Sequence, residues 1–217
     1  MLERFQALAA AAPDAVALID GNSGRTTTRR QLLARIDELA ERLTSEGFRE
    51  DDVLGIQLSN SIDFVAAFGA VLARKLVAIL IDRDATEAEV GNVLEHFGAR
   101  GLVNRSGVST RSAARSNLPA GARLIKLTSG STGMPKGIVA TEENLIADCV
   151  NICATMDIRP DDINLGAIPM SHSYGFSNLV TPLLVQGTPV VISNDYLPQS
   201  VVNLSNRCSA TVAPLIP

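Results

Sequence analysis

The chain has 217 residues, of which 46% are hydrophobic and 19% charged, and its formal net charge is −4. That balance belongs to an ordinary globular protein with one large or two small domains and excludes a disordered or fibrous chain. No run of Lys or Arg gives the basic face that nucleic acid or an anionic membrane would need.

Residues 7 to 12 read Ala-Leu-Ala-Ala-Ala-Ala, but the stretch is short and Glu3-Arg4 before it carries no net positive charge, so a signal peptide is not expected. Regular patterning starts at Thr28. Thr28 and Gln31 have capping-box spacing, apolar residues follow at Leu32, Ile36, Leu39, Ala40 and Leu43, and Gly47 closes an amphipathic helix. Val53 to Leu58 then reads as a strand and Ser61 to Arg74 as a largely apolar helix. Leu76 to Ile81, an uninterrupted apolar run, is far short of the roughly 20 residues that span a bilayer and reads as a buried strand. Thr86 and Glu89 repeat the capping box, with Val90, Val93, Leu94 and Phe97 on one face and Gly98 at the end, and Gly101 to Asn104 is a short strand. His96 in that last turn suits the helix dipole.

Arg105 to Gly121 is rich in Ser, Gly and Ala without periodicity and reads as a surface loop. The expected organisation is therefore a first α/β unit over 1–106, a boundary at 107–121 and a second unit over 122–217. In the second unit Ala122 to Leu127 is a strand, Thr141 caps a helix from Glu142 to about Met156, and Ile163 to Ile168, Val190 to Ile192 and Ser209 to Ala213 are strands. Strands alternating with helices imply an α/β fold, with helices on both faces of largely parallel sheets and ligands at the carboxyl ends of the strands. Three cysteines make no disulfide framework; Cys149 and Cys153 share one helix face and read as buried small side chains. Glu142-Glu143 and Asp161-Asp162 sit at element starts and read as caps and turns. A cytoplasmic location fits these features.

Residues 127 to 138, Leu-Thr-Ser-Gly-Ser-Thr-Gly-Met-Pro-Lys-Gly-Ile, carry the chemistry. Gly130, Gly133 and Gly137 let a backbone turn so that N–H groups converge on an anion, Thr128, Ser129, Ser131 and Thr132 add hydroxyls, and Lys136 adds a positive charge. This is a phosphate cradle of a different kind from the Gly-x-x-x-x-Gly-Lys-Ser/Thr loop, because Met134-Pro135 precedes the lysine and Gly137-Ile138-Val139 leaves as an extended segment.

Thr128 to Gly137 resembles the signature loop of the AMP-forming ligases, the adenylate-forming superfamily of acyl-CoA synthetases, nonribosomal-peptide adenylation domains and luciferases. Pro169-Met170-Ser171-His172-Ser173-Tyr174-Gly175-Phe176 resembles the family's next motif, and Arg25 to Leu33 and Val71 to Asp84 its upstream segments. Ala78-Ile79-Leu80-Ile81-Asp82 departs from the family, which has a Pro-Leu-Asp-Pro type sequence there. The resemblance implies that a carboxylate attacks the α-phosphate of ATP, giving an acyl-adenylate and pyrophosphate, and that CoA then takes the acyl group. It implies phosphate binding by Thr128, Ser129, Gly130, Ser131, Thr132, Gly133, Lys136 and Gly137, with Lys136 also a catalytic residue through its charge on the leaving pyrophosphate. Thr128 would approach Mg2+, and His172, Ser173, Tyr174 and Gly175 would form the acid pocket, His172 as a group governing shape and access. Fatty or aryl acids are the expected substrates; the rivals are an amino-acid-activating adenylation domain and a non-catalytic nucleotide-binding remnant. The family's aromatic-Gly-Pro-Thr-Glu motif, ribose-holding aspartate and C-terminal lysine do not occur here. The chain is thus expected to be the N-terminal part of a larger enzyme, inactive alone, with a sheet edge open to self-association.

Overall fold

The computed structural model describes residues 1–113, 117–128 and 136–215. The chain begins with helix α1 (Leu2–Ala11), a strand pair β1 (Val16–Asp20) and β2 (Thr26–Thr28), and helix α2 (Arg29–Ser45). It continues through β3 (Val53–Ile56), α3 (Ile62–Ala73), β4 (Val77–Leu80), α4 (Glu87–His96), β5 (Ala99–Asn104) and β6 (Gly107–Thr110). Next come β7 (Ala122–Thr128), β8 (Lys136–Thr141), α5 (Glu142–Met156) and β9 (Asn164–Gly166). A three-part helix follows, α6 (Ser173–Gly175), a π-helical segment (Phe176–Val180) and α7 (Thr181–Gln186), and the chain closes with β10 (Val190–Ile192) and α8 (Pro198–Cys208).

Local signals form where they are expected. The Thr28/Gln31 and Thr86/Glu89 capping boxes are both made, a third joins Thr141 to Asn144, and Ser61 caps α3. Gly47 and Gly98 take positive φ just beyond α2 and α4. β4 is buried along its length.

Two sheets result, ordered β2-β1-β10-β9 and β6-β5-β3-β4-β7-β8. The smaller has β1, β10 and β9 parallel with β2 antiparallel at its edge; the larger has β5, β3, β4 and β7 parallel with β6 and β8 antiparallel at its edges. The division expected at 107–121 does not coincide with the division between sheets. β7 and β8 complete the sheet built by β3 to β6, and β1 and β2 join β9 and β10.

One apolar core draws on one face of each sheet, Leu18 and Val190 from the smaller, Leu54, Ile56, Ala78 and Leu80 from the larger, with α1, α2, α3 and α7 between them. The alternate residues Val53, Val77, Ile79 and Ile81 face α4, and the outer face of the smaller sheet packs Leu165 and Val191 against Leu204 of α8. α2 and α3 cross closely because Gly69 has no side chain; a Cβ there would lie 2.6 Å from Ile36.

Several segments differ from the sequence reading, including the helices over 173–186 and 198–208, which it left unassigned. The first 27 residues are structured, with Leu2, Phe5 and Ala9 buried as α1 packs on α7. The 105–121 stretch contains β6, turned back on β5 through Gly107 at φ +113; an edge strand half open to water needs no strict alternation, which hid it. Ser209 to Ala213 makes only an isolated bridge, Val212 to Asn164 on β9.

Candidate functional site

The strand β7 pairs in parallel with β4 and antiparallel with β8, and the last β7–β8 pair is Thr128 with Lys136. Thr128 Oγ1 donates to the Lys136 carbonyl at 3.3 Å. The segment expected to be the cradle therefore joins two hydrogen-bonded strand ends, at the carboxyl end of β7. Its interior, with the expected phosphate ligands Ser129, Gly130, Ser131, Thr132 and Gly133, lies outside the described residues. Gly137, read from sequence as a glycine that lets the loop turn, is a strand residue opposite Leu127. A Cβ on it would come within 2.6 Å of the Phe97 ring and 2.7 Å of Ile125, so what the strand uses is its missing side chain.

Two residues before Thr128, on the same face of β7, Lys126 reaches across to α5 and the π-helical segment. Its Nζ donates to Ser177 Oγ at 3.0 Å and lies 3.9 Å from Asp148, to which Ser177 Oγ in turn donates at 2.7 Å. Burial lowers the Lys126 pKa, and the Asp148 carboxylate offsets part of that effect.

The Pro169–Phe176 segment is explained by one close approach. A Cβ on Gly175 would sit 2.0 Å from the Pro169 carbonyl oxygen, so only glycine lets the first helical turn fold over the proline. The His172 N–H donates to that same carbonyl at 3.2 Å, and the His172 carbonyl accepts from Phe176 N–H at 2.8 Å. Phe176 anchors the segment, packing edge-to-face on Phe68 with ring centroids 4.7 Å apart. His172, Ser173 and Tyr174 are left exposed at the rim and Gly175 is buried.

From that rim His172 Nε2 bonds Asp82 Oδ2 at 2.8 Å. Asp82 stands just past the carboxyl end of β4, the strand beside β7. Burial pushes its carboxyl pKa up, but the hydrogen bonds from His172 and the Asp84 N–H, with the charge of Arg83, outweigh that and hold it below the ordinary value. The fold thus brings Thr128, Lys136 and the His172 segment to the carboxyl ends of two neighbouring strands. Asp82 was not among the expected site residues; an acid just past the carboxyl end of a buried parallel strand was the available signal.

No group of three or more His, Cys, Asp or Glu able to hold a metal ion occurs among the described residues. Thr128 Oγ1 donates its proton to the Lys136 carbonyl and accepts from no donor among the described residues, so its oxygen could fill one ligand position on Mg2+, the rest coming from phosphate oxygens and water. Among the described residues no helix is long and apolar enough to cross a membrane. Cys149 and Cys153 are buried side by side, with sulfurs 4.0 Å apart, and burial pushes the Cys149 thiol up to about 12.

The model of a family described as AMP-binding enzyme matches residues 5–127 and 119–217. The chain is 23% identical over 241 residues to 4-coumarate–CoA ligase 5 of Oryza sativa subsp. japonica, a match covering 94% of this chain and 45% of that protein. It is 32% identical over 94 residues to a feruloyl-CoA synthase of an Amycolatopsis species, covering 43% of this chain and 19% of that protein. Among solved structures it resembles the inhibitor-bound N-terminal domain of FACL13 from Mycobacterium tuberculosis, with a TM-score of 0.84, 21% identity, and 97% of this chain and 61% of that one covered. It also resembles the O-succinylbenzoate coenzyme A synthetase of Bacillus subtilis in complex with AMP, with a TM-score of 0.83, 23% identity, and 98% and 61% covered. The chain spans a little under half the length of the two CoA ligases, from rice and hop, that it matches over most of its own length.

Proposed function

This chain belongs to the AMP-binding enzyme family, and from that membership we propose that it carries the phosphate-facing and acid-facing part of an AMP-forming carboxylate ligase. The reaction joins ATP and a carboxylic acid to give an acyl-adenylate and pyrophosphate, and CoA then takes the acyl group. The observation that carries the reading is the convergence of the β7–β8 connection and the His172–Asp82 pair on the carboxyl ends of adjacent strands. The names of the relatives, coumarate and feruloyl CoA ligases, favour CoA as acceptor and an aryl acid as substrate; a fatty acid is the second choice.

In this reading Lys136, with Gly137 behind it and the Ser129, Gly130, Ser131, Thr132 and Gly133 amides and hydroxyls beside it, meets the β- and γ-phosphates. Charge develops there as pyrophosphate leaves, so donors already aimed at it stabilise the transition state more than the ground state. Mg2+, held through Thr128 and the phosphates, would neutralise further charge. Tyr174, Ser173 and His172 border the acid, and the bond from Asp82 fixes the imidazole ring so that it limits the shape of the opening. Gly175 keeps the turn close. The cytoplasm is the location proposed for this ligase.

The test is titration of MgATP into the chain by calorimetry, followed by carboxylate-dependent ATP–pyrophosphate exchange with coumarate, ferulate and a fatty acid. MgATP affinity that falls at least about tenfold in Lys136→Ala, as loss of a charged hydrogen bond predicts, supports the assignment. Equal, measurable affinity in both proteins would remove Lys136 from the phosphate site, and carboxylate-dependent exchange above the Lys136→Ala level would overturn the expectation that this part is inactive alone.

A further inference from the structure

The carboxyl ends of β3, β9 and β10 meet at one asparagine. Asn60 follows β3 and is 3% exposed. Its Nδ2 donates to the carbonyls of Ile168 at 2.8 Å, Ser193 at 3.0 Å and Gly166 at 3.2 Å, while its Oδ1 accepts from the Met170 N–H at 2.7 Å. The carboxamide has one acceptable orientation, because flipping it would set oxygen against three carbonyls. Two amide hydrogens serve those three carbonyls, so the side chain's donors are fully used.

The Asn60 backbone is held in turn by a second asparagine. Asn194, after β10, accepts from the Asn60 N–H at 3.1 Å and donates to its carbonyl at 2.9 Å. Asn194 Oδ1 also accepts from Arg83 Nη1 at 3.0 Å, so the β4–α4 connection is tied to the same pair.

Among the described residues no strand ladder joins the two sheets. At the edge where a ligand would lie, these side chains link them, together with the His172–Asp82 bond. Asn60 leaves the sheet that carries Thr128 and Lys136, and Gly166 to Met170 leads straight to His172. We propose that Asn60, held by Asn194, is a positioning residue that sets where the His172 segment stands relative to the β4 and β7 ends. It thereby fixes the spacing between the acid-facing and phosphate-facing halves of the site. The inference rests on the function proposed above and deepens it.

Nuclear magnetic resonance tests it without turnover. The chain has two histidines; His172 reports the segment, and His96, at the amino-terminal edge of the large sheet, serves as reference. Amide exchange at Met170 reads the Asn60 bond directly, and exchange at Ile79 in β4 reads global stability. Three variants are compared. Asn194→Ala removes an exposed side chain, Asn60→Asp keeps the acceptor for Met170 but loses the three donations, and Asn60→Ala removes both.

In folded Asn194→Ala and Asn60→Asp the His172 ring signal moves while His96 stays, and the shift is larger for Asn60→Asp. In Asn60→Ala, and to a lesser degree in Asn194→Ala, Met170 exchange rises by about fivefold or more, the effect of one lost hydrogen bond, with Ile79 unchanged. An unmoved His172 signal in folded Asn194→Ala overturns the proposal. So does an equal rise in exchange at Met170 and Ile79, because Asn60 would then support stability alone. Equal, measurable MgATP affinity in the unaltered chain and in Lys136→Ala would overturn the functional reading while leaving these displacements measurable, so the two failures are distinct.

Discussion

Replacing Gly175 by alanine puts a methyl group where the Pro169 carbonyl already is. The new Cβ would lie 2.0 Å from that oxygen and 2.8 Å from its carbon. Carbon and oxygen need well over 3 Å, so the backbone has to move by more than an ångström, and no flexible side-chain tip is present to yield instead. Overpacking of this kind costs about 1–3 kcal/mol. The His172 N–H bond to the same carbonyl at 3.2 Å is lost as well, adding about 0.5–1.5 kcal/mol. The sum, about 2–4 kcal/mol, lowers Tm by roughly 4–16 °C in a chain of this size. Thermal unfolding followed by far-ultraviolet circular dichroism reads it, since the chain has no tryptophan. Gly91→Ala is the matched control. Gly91 lies inside α4, and a Cβ there meets nothing within 4 Å, so alanine should stabilise by about 0.5–1 kcal/mol. A Gly175→Ala protein as stable as the unaltered chain, with the His172 resonance in place, would refute the account of why this segment folds as it does.

Phe68→Ala leaves a hole beside Phe176 and should cost about 3–5 kcal/mol in urea unfolding, with an unchanged midpoint contradicting the packing described. At pH 8 a thiol reagent should label half-buried Cys208 first, whereas Cys149, buried with its thiol pushed up to about 12, should react only on unfolding; early labelling of Cys149 would contradict its burial. Asp82 has a folded pKa below its ordinary value of 3.8, so its contribution to stability is present above that pH and fades as pH falls through the lower folded value. Asp82→Asn should therefore narrow the stability difference between pH 6 and pH 3. The effect is small because the carboxylate is 46% exposed, and an identical pH profile in both proteins would count against the His172–Asp82 bond.

Features whose causes lie within a few residues were legible in the sequence. The Thr28/Gln31 and Thr86/Glu89 boxes, the Thr141 cap and the apolar run of β4 each depend on near neighbours, and each forms. β1 and β2 were not legible because β1 completes its pairing with β10, about 170 positions later. In the site, the composition of 127–138 marked where a cradle would be, but not that Thr128 and Lys136 would be paired strand ends, nor that Gly137 makes room for Phe97. His172 was visible as a motif residue. Its bond to Asp82 and the role of Asn60 joining the sheets were not, because partners lying 90 and more positions apart leave no local pattern.

The pairing of β1 with β10 also bears on synthesis in the cell. At about 5–20 residues per second, roughly 9–34 seconds separate the appearance of Leu18 from that of Val190, its partner in the ladder. During that interval the first hairpin has an open side and apolar residues meant for a core not yet made. The larger sheet can form almost entirely beforehand, since its last strand ends at Thr141. The newborn chain would thus pass through a half-built state with one sheet complete and the other waiting, and in that window a holding chaperone would have the most to cover.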